Sequence, residues 1–256
     1  MRIIVNADDF GYNFDCNKAT IELLDGNTIT SATILTDFEG FSEAVYYAKN
    51  ATKKNLSFGL HFNLVEASGL FNYSTKDGFL KVFHHLHPII QRFLLLSTLI
   101  NKEIIAKEFE RQLLCLLKAG VNVSHIDSHG HVHKFPIVLK AILPIMQKYG
   151  IVNIRRPENI FHRKLYIQRL LNPLCFRFFR FVKLCDFFYG SLYKSKENLV
   201  LKKLIDDTKL SSKIIELSVH PGEEEEWRRA EKISLVELVS TLRQKSSIEF
   251  VSYHEV

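Results

Sequence analysis

The stretch "HIDSHGHVH" (125–133) gathers four of the chain's 11 histidines, with an aspartate and a serine, into one short segment. Neutral imidazoles bind metals and move protons near neutral pH. If His125 to Asp127 finish a strand, His125 and Asp127 share one face at period two, and His129 leaves the strand end into a site. His131 and His133 follow in the turn beyond. Asp127 or His125 would then hold another imidazole by its second nitrogen. A solvated polar turn has no need of four imidazoles.

Two carboxylates sit near the N-terminus, Asp8 and Asp9 in "NADDFG". On an extended backbone adjacent side chains point opposite ways, so one can bind a metal while the other faces a reactive water. Asp before Gly is also an ordinary turn. His61 interrupts the apolar strand "GLHFNL", where a lone histidine is more often a hydrogen-bonded core residue than a ligand. His220 in "SVHPG" reads either as a turn histidine or as an acid placed to protonate a leaving group. One carboxylate and two imidazoles on one side of a metal leave positions open for water and substrate. Such an open site suits hydrolysis, because the metal lowers the pKa of water and polarises a carbonyl.

The elements that would position these groups alternate along the chain. Ile3–Val5 reads as a buried strand ending at the two aspartates, followed by a helix over Asn17–Leu24 and a β-branched run over 28–36. "SFGLHFNLV" (57–65) is a strand, and 101–120 an amphipathic helix capped by Asn101 and stopped by Gly120. Strand (Val121–Asp127), helix (Pro136–Tyr149), strand (Ile151–Ile154), strand (213–219), helix (233–245) and strand (248–253) follow. This alternation predicts an α/β fold with a largely parallel sheet. In such folds functional residues gather at the C-terminal ends of strands. Asp8 and Asp9, His61, His125–His133, "RRPEN" (155–159) and "HPG" (220–222) all fall on or just after strands.

Composition narrows the class. At 256 residues, 46% hydrophobic and 24% charged, the chain has material for one large core. The net charge of +6 is modest and scattered, with no motif of a nucleic-acid binder. Four cysteines without a C-x-x-C pair fit a reducing compartment rather than a disulfide scaffold. Acidic residues within the first nine positions do not fit a signal peptide, and the run "FLLLSTLI" (93–100) is too short to span a bilayer. The expected location is the cytoplasm.

"NADDFG", "GLHFNL", "HIDSHGHVH" and "HPG", in this order and with a closing "SYHEV", resemble the YdjC-like carbohydrate deacetylases. That group includes chitooligosaccharide deacetylases and members associated with hopanoid biosynthesis. The resemblance covers essentially the whole chain and implies a distorted, TIM-like (β/α) barrel, a single domain over 1–256 with a helical insertion at about 160–205. It implies hydrolysis of an N-acetyl group from an amino sugar. It further implies a divalent metal on Asp9, His61 and His129, Asp8 as general base and His220 as acid, with Arg155 or Arg156 positioning Asp8 or the substrate. His125, Asp127, His131 and His133 would support or line the site. Family members are described with magnesium, whereas two imidazoles and a carboxylate suit zinc, manganese or iron at least as well.

"LCFRFFRFVKLCDFFYG" (174–190) departs from a small soluble-sugar enzyme. As a helix it clusters Arg177, Arg180 and Lys183 in one arc among aromatics, which fits an insertion helix packed on the barrel, a lid, a contact within a homodimer, or a helix lying at an anionic membrane surface. Two other functions are open to the sequence. A metallophosphoesterase shares the "GHVH" ending (130–133) but would also need an early D-x-H and a G-N-H. A non-catalytic sugar-binding protein would be expected to lose the base or a ligand.

Overall fold

The computed structural model describes residues 1–53, 55–66, 86–97, 100–157, 182–190, 201, 205 and 211–256. Eight strands are all joined in parallel: β1 (Arg2–Phe10), β2 (Ser31–Ile34), β3 (Ser57–Phe62), β4 (Val123–Ser128), β5 (Asn153–Ile154), β6 (Phe187–Gly190), β7 (Ile214–Val219) and β8 (Glu249–Phe250). Their order is β5-β4-β3-β2-β1-β7-β6, with β8 paired to the start of β1. The helices are α1 (Phe14–Asp25), α2 (Phe41–Asn50), α3 (Pro88–Ser97), α4 (Lys102–Lys118), α5 (Pro136–Lys148) and α6 (Glu226–Arg243). None of the described helices is long and apolar enough to cross a membrane.

The expected distorted, TIM-like (β/α) barrel is present in part: the parallel sheet curls into a half-barrel and does not close. Among the described residues the edge strands β5 and β6 share no ladder, and a single bridge, Asn153 to Lys183, links their surroundings. The aromatic segment expected to be helical over 174–190 ends instead in strand β6, with Phe188 and Tyr189 fully buried. Positions 174–181 and most of the expected insertion at 160–205, with Cys175, lie outside the described residues. Cys16, Cys115 and Cys185 are free thiols.

The strands are buried on both faces, as parallel sheets covered by helices require. Alternation divides them into two environments. Ile3, Val5, Ala7, Leu60, Ile126, Leu217 and Val219 join the main core with helix residues such as Phe109, Leu139 and Leu235. Ile4 and Ile214 point the other way and form a small cluster with Cys185, Val251 and Tyr253. The rest of the concave face is polar: Asn6, Asp8, Thr33, His61, His125, Asp127 and Glu216 are all buried. A TIM barrel fills its interior with branched apolar layers. Here that space belongs to charged and imidazole side chains.

Local chemistry sets the element ends. Asn101 caps α4 by accepting from Glu103 N, and Gly120 at φ 87° turns the chain after it. Asn13 caps α1, three residues earlier than the apolar pattern predicts. The last strand is shorter than expected because Ser252 starts a capped turn that seats Tyr253 inside the half-barrel. Tyr253 stacks on His125 with ring centroids 3.7 Å apart, and its backbone N donates to Ser57 Oγ at 3.1 Å.

Gly59 lets β3 and β4 meet at this point. A Cβ there would lie 2.6 Å from both His125 Cε1 and His125 O. Gly59→Ala is expected to destabilise the fold by about 1–3 kcal/mol, since overpacking a filled interior costs that much. Thermal unfolding measures it, and an unchanged melting temperature would mean that the two strands separate freely.

Candidate active site

Asp8 and Asp9 do not diverge as an extended backbone predicts. The β1–β2 register shifts between Ala7 and Phe10, and Asp9 takes a left-handed φ of 62°. Such a backbone costs about 1 kcal/mol or more for a side chain other than glycine, and Asp tolerates it better than bulky residues. The turn closes by Tyr12 N donating to Asp9 O and by Gly11 at φ 97°, where a Cβ would meet Leu35 O at 2.8 Å. Both carboxylates are thereby buried in one site with different partners.

Asp9 Oδ1 faces two imidazoles, His61 Nε2 at 3.2 Å and His129 Nδ1 at 3.0 Å. Each ring is held from its other nitrogen by a carboxylate. His61 Nδ1 pairs with Asp127 Oδ1 at 2.7 Å, and His129 Nε2 with Glu66 Oε2 at 2.8 Å. Carboxylate backing of this kind fixes tautomer and ring orientation in metal sites. Asp9, His61 and His129 offer three ligand atoms within 4.8 Å of one another. One oxygen and two nitrogens, oriented from behind, form a donor set that can hold a divalent ion.

Asp8 is held differently. Arg155 donates from Nη1 to Oδ2 and from Nη2 to Oδ1, both at 2.6 Å, and Asn6 Nδ2 donates to Oδ1 at 2.9 Å. Burial would raise the pKa of Asp8, but the Arg155 charge and its hydrogen bonds hold it well below the carboxylate range. Burial would likewise raise Asp9, which His129 and His61 hold low. Those two imidazoles are pushed up against the effect of burial, His61 to about 10 chiefly by Asp127 and His129 to about 9 chiefly by Asp9. His220, half-buried, presents Nε2 at 3.7 Å from Asp8 Oδ2, while its Nδ1 and backbone N both meet Glu231 Oε2. Burial lowers its pKa, yet the Glu231 contact leaves it raised.

The remaining histidines divide. His125 does not touch His129; its Nε2 lies 3.3 Å from Asn6 Oδ1, so it supports the amide that holds Asp8. Burial keeps its pKa well below the ordinary value. His133 is buried against Ser128 Oγ, and His131 packs edge-on to Phe188, so neither meets the carboxylates. Of the two arginines, Arg155 is fully buried, whereas Arg156 is half-buried with Nη1 on Cys185 O. Five groups escape the sequence reading: Thr33, Glu66, Glu216, Arg228 and Glu231. Glu66 follows the "GLHFNL" motif closely enough to have been noticed, while Arg228 and Glu231 hide in the charge run "EEEEWRRAEK" (223–232).

A parallel half-barrel with an acid–imidazole cluster at its strand ends, able to hold a metal ion, is the class that fold and site define. The chain belongs to the YdjC-like protein family, whose model matches residues 2–251. A carbohydrate deacetylase of Brevibacillus brevis is 35% identical over 162 residues, covering 61% of this chain and 60% of that one. The match therefore spans three fifths of that relative. A carbohydrate deacetylase of Clostridium beijerinckii is 29% identical over 229 residues, covering 87% and 82%. A solved structure from Enterococcus faecalis, described as a candidate cellobiose-phosphate cleavage protein, matches with a TM-score of 0.76 over 99% of this chain and 98% of that one. At 21% identity that likeness carries the fold alone.

Arg155→Met would leave Asp8 and Asp127 buried without their cation. A loss of about 3–5 kcal/mol is expected, as for other buried pairs broken from one side. The depressed Asp8 contributes stability above its ordinary value of 3.8 and loses it as pH falls through the folded value. The deficit of the variant, measured by urea unfolding, should therefore be full at neutral pH and shrink in acid. A deficit that grows in acid would reverse this sign.

Proposed function

We propose that the chain hydrolyses the N-acetyl group of an amino sugar, with a divalent metal held by Asp9, His61 and His129. The observation that carries this reading is the division between two adjacent carboxylates: Asp9 faces two oriented imidazoles, while Asp8, locked by Arg155, faces His220. The names of the relatives supply the substrate class. A bound divalent ion would polarise the acyl carbonyl as a Lewis acid.

The chain's own residues do the proton work. Asp8 stays ionised under working conditions and takes a proton from the attacking water, as the C–O bond forms. His220, with Nδ1 engaged by Glu231, has Nε2 to give a proton to the departing amine as the C–N bond breaks. Acetate and a free amino sugar leave, and Asp8 and His220 return to their starting protonation through solvent. The donor set suits zinc, manganese or iron, while magnesium is the family expectation.

A sugar ring has a surface to meet. Trp227 is 40% exposed, its ring centroid lies 5.5 Å from that of His220, and Nε1 is anchored on Glu225 Oε1 at 3.1 Å. A fixed, partly exposed indole at the mouth of a polar site supports recognition of the apolar face of a pyranose.

Acetate release from diacetylchitobiose and from an N-acetylglucosaminyl lipid, with and without chelator, tests the reaction and its aglycone preference. Asp8→Asn should keep the metal and lose about 10²–10⁴-fold in turnover; wild-type activity in this variant would remove Asp8 as base. Trp227 is the chain's single tryptophan, so its fluorescence reports the sugar contact directly. Emission that stays constant through a saturating titration would argue against the stacking role.

A further inference from the structure

Arg228 reaches the site from α6, across nearly the whole sequence. It is 4% exposed, and Nη2 donates to Asp9 Oδ2 at 2.9 Å. This is the carboxylate oxygen opposite the one that faces His61 and His129. The guanidinium is fixed on three further sides. Nε donates to Glu225 Oε2 at 2.5 Å, and the Trp227 and Tyr12 rings lie 4.5 and 5.4 Å from its central carbon. A long cationic side chain buried and immobilised this thoroughly loses several rotatable bonds and much hydration. One hydrogen bond to an aspartate at the heart of the site is what that arrangement delivers.

The path of the side chain explains a glycine as well. A Cβ on Gly222 would lie 2.8 Å from Arg228 Cδ and 3.2 Å from its Cβ. The same Cβ would lie 3.1 Å from Asp15 Oδ2, which pins the loop after Gly222 by accepting from Glu223 N and Glu224 N. Gly222 therefore leaves room both for Arg228 and for the Asp15 contact beside it.

We propose that Arg228 is a positioning residue that occupies Asp9 Oδ2 and restricts Asp9 to a single oxygen, Oδ1, for a bound cation. Gly222 makes room for it. The proposal rests on the metal reading of Asp9, His61 and His129. By holding back one oxygen, Arg228 keeps a coordination position open for water or substrate rather than for a second carboxylate atom. An open position is what distinguishes catalytic from structural metal sites.

The test loads the whole chain with cobalt(II) and compares wild type with Arg228→Met, which keeps the apolar stem and removes the donors. Titration calorimetry gives cobalt affinity, and the visible d–d band, which weakens as coordination number rises, reports how many ligands Asp9 supplies. The expected variant binds cobalt, shows a weaker band and loses about 10–100-fold in kcat, in the range of other groups that orient metal ligands, with KM little changed. Gly222→Ala should move the band the same way to a smaller extent, and it remains informative if Arg228→Met does not fold. Arg228→Lys, which keeps a charged donor, should restore part of the wild-type band. Cobalt bound with an identical band and equal kcat in wild type, Arg228→Met and Gly222→Ala overturns the assignment of Arg228 alone. No cobalt bound by wild type overturns the metal reading and this proposal with it.

Discussion

Arg155 is fully buried and makes ion pairs with Asp8 at 2.6 Å, Asp127 at 2.7 Å and Glu216 at 2.7 Å, carboxylates on three different strands. Bringing these charges out of water is expensive, and only near-ideal hydrogen bonding offsets the cost. A guanidinium presents donors in a rigid plane, so each bond fixes the direction of the others. The strands β1, β4 and β7 must then keep their relative heights for all three contacts to survive. The placement of Asp8 and the orientation of Asp127 behind His61 are thus set by one side chain.

Charge balance around this centre favours a further cation. Asp8, Asp9 and Asp127 are buried against two buried arginines, Arg155 and Arg228. Burial pushes Glu216 up, against the pull of Arg155. The carboxylates Asp127 and Asp9 are what push the His61 and His129 values up. A divalent ion held there would be favoured by the same carboxylates, and binding it requires the neutral form of the imidazoles. One arrangement of carboxylates therefore both raises the imidazole values and would favour a cation.

Much of the frame was legible in the sequence because its signals are local. The strands around Ile3, Leu60, Ile126 and Leu217 announce themselves as apolar runs, and α4 shows its stripe, its Asn101 cap and its stopping glycine. What escaped was non-local or disguised. Strand β6 ends a phenylalanine-rich stretch whose basic residues fall at helical spacing, and only pairing with β7 makes it a strand. Whether a sheet closes depends on register around the whole ring, which no single segment encodes. The convergence of Asp8 and Asp9 depends on one left-handed residue, and a charge run conceals Arg228 and Glu231 because their burial comes from what α6 packs against.

The three imidazoles near Asp8 and Asp9 are all backed by a carboxylate, yet not with equal firmness. Asp127, behind His61, is itself held by Thr33 on β2 and by Arg155, just past the end of β5. Glu231, behind His220, is fully buried on α6 and accepts from the His220 backbone as well as meeting its ring. Glu66, behind His129, is 38% exposed in its side chain and is braced by Tyr12, while His129 sits on the turn where Gly130 and His131 take positive φ. The strand-borne half of the site is therefore rigid, whereas the turn-borne half can adjust by small dihedral changes. In the proposed reaction, holding a metal, admitting a bulky sugar and releasing acetate would draw on both properties. With the adjustable imidazole on the more exposed side and the fixed one backed through Asp127 by Arg155, a shift of His129 would leave Asp8 undisturbed.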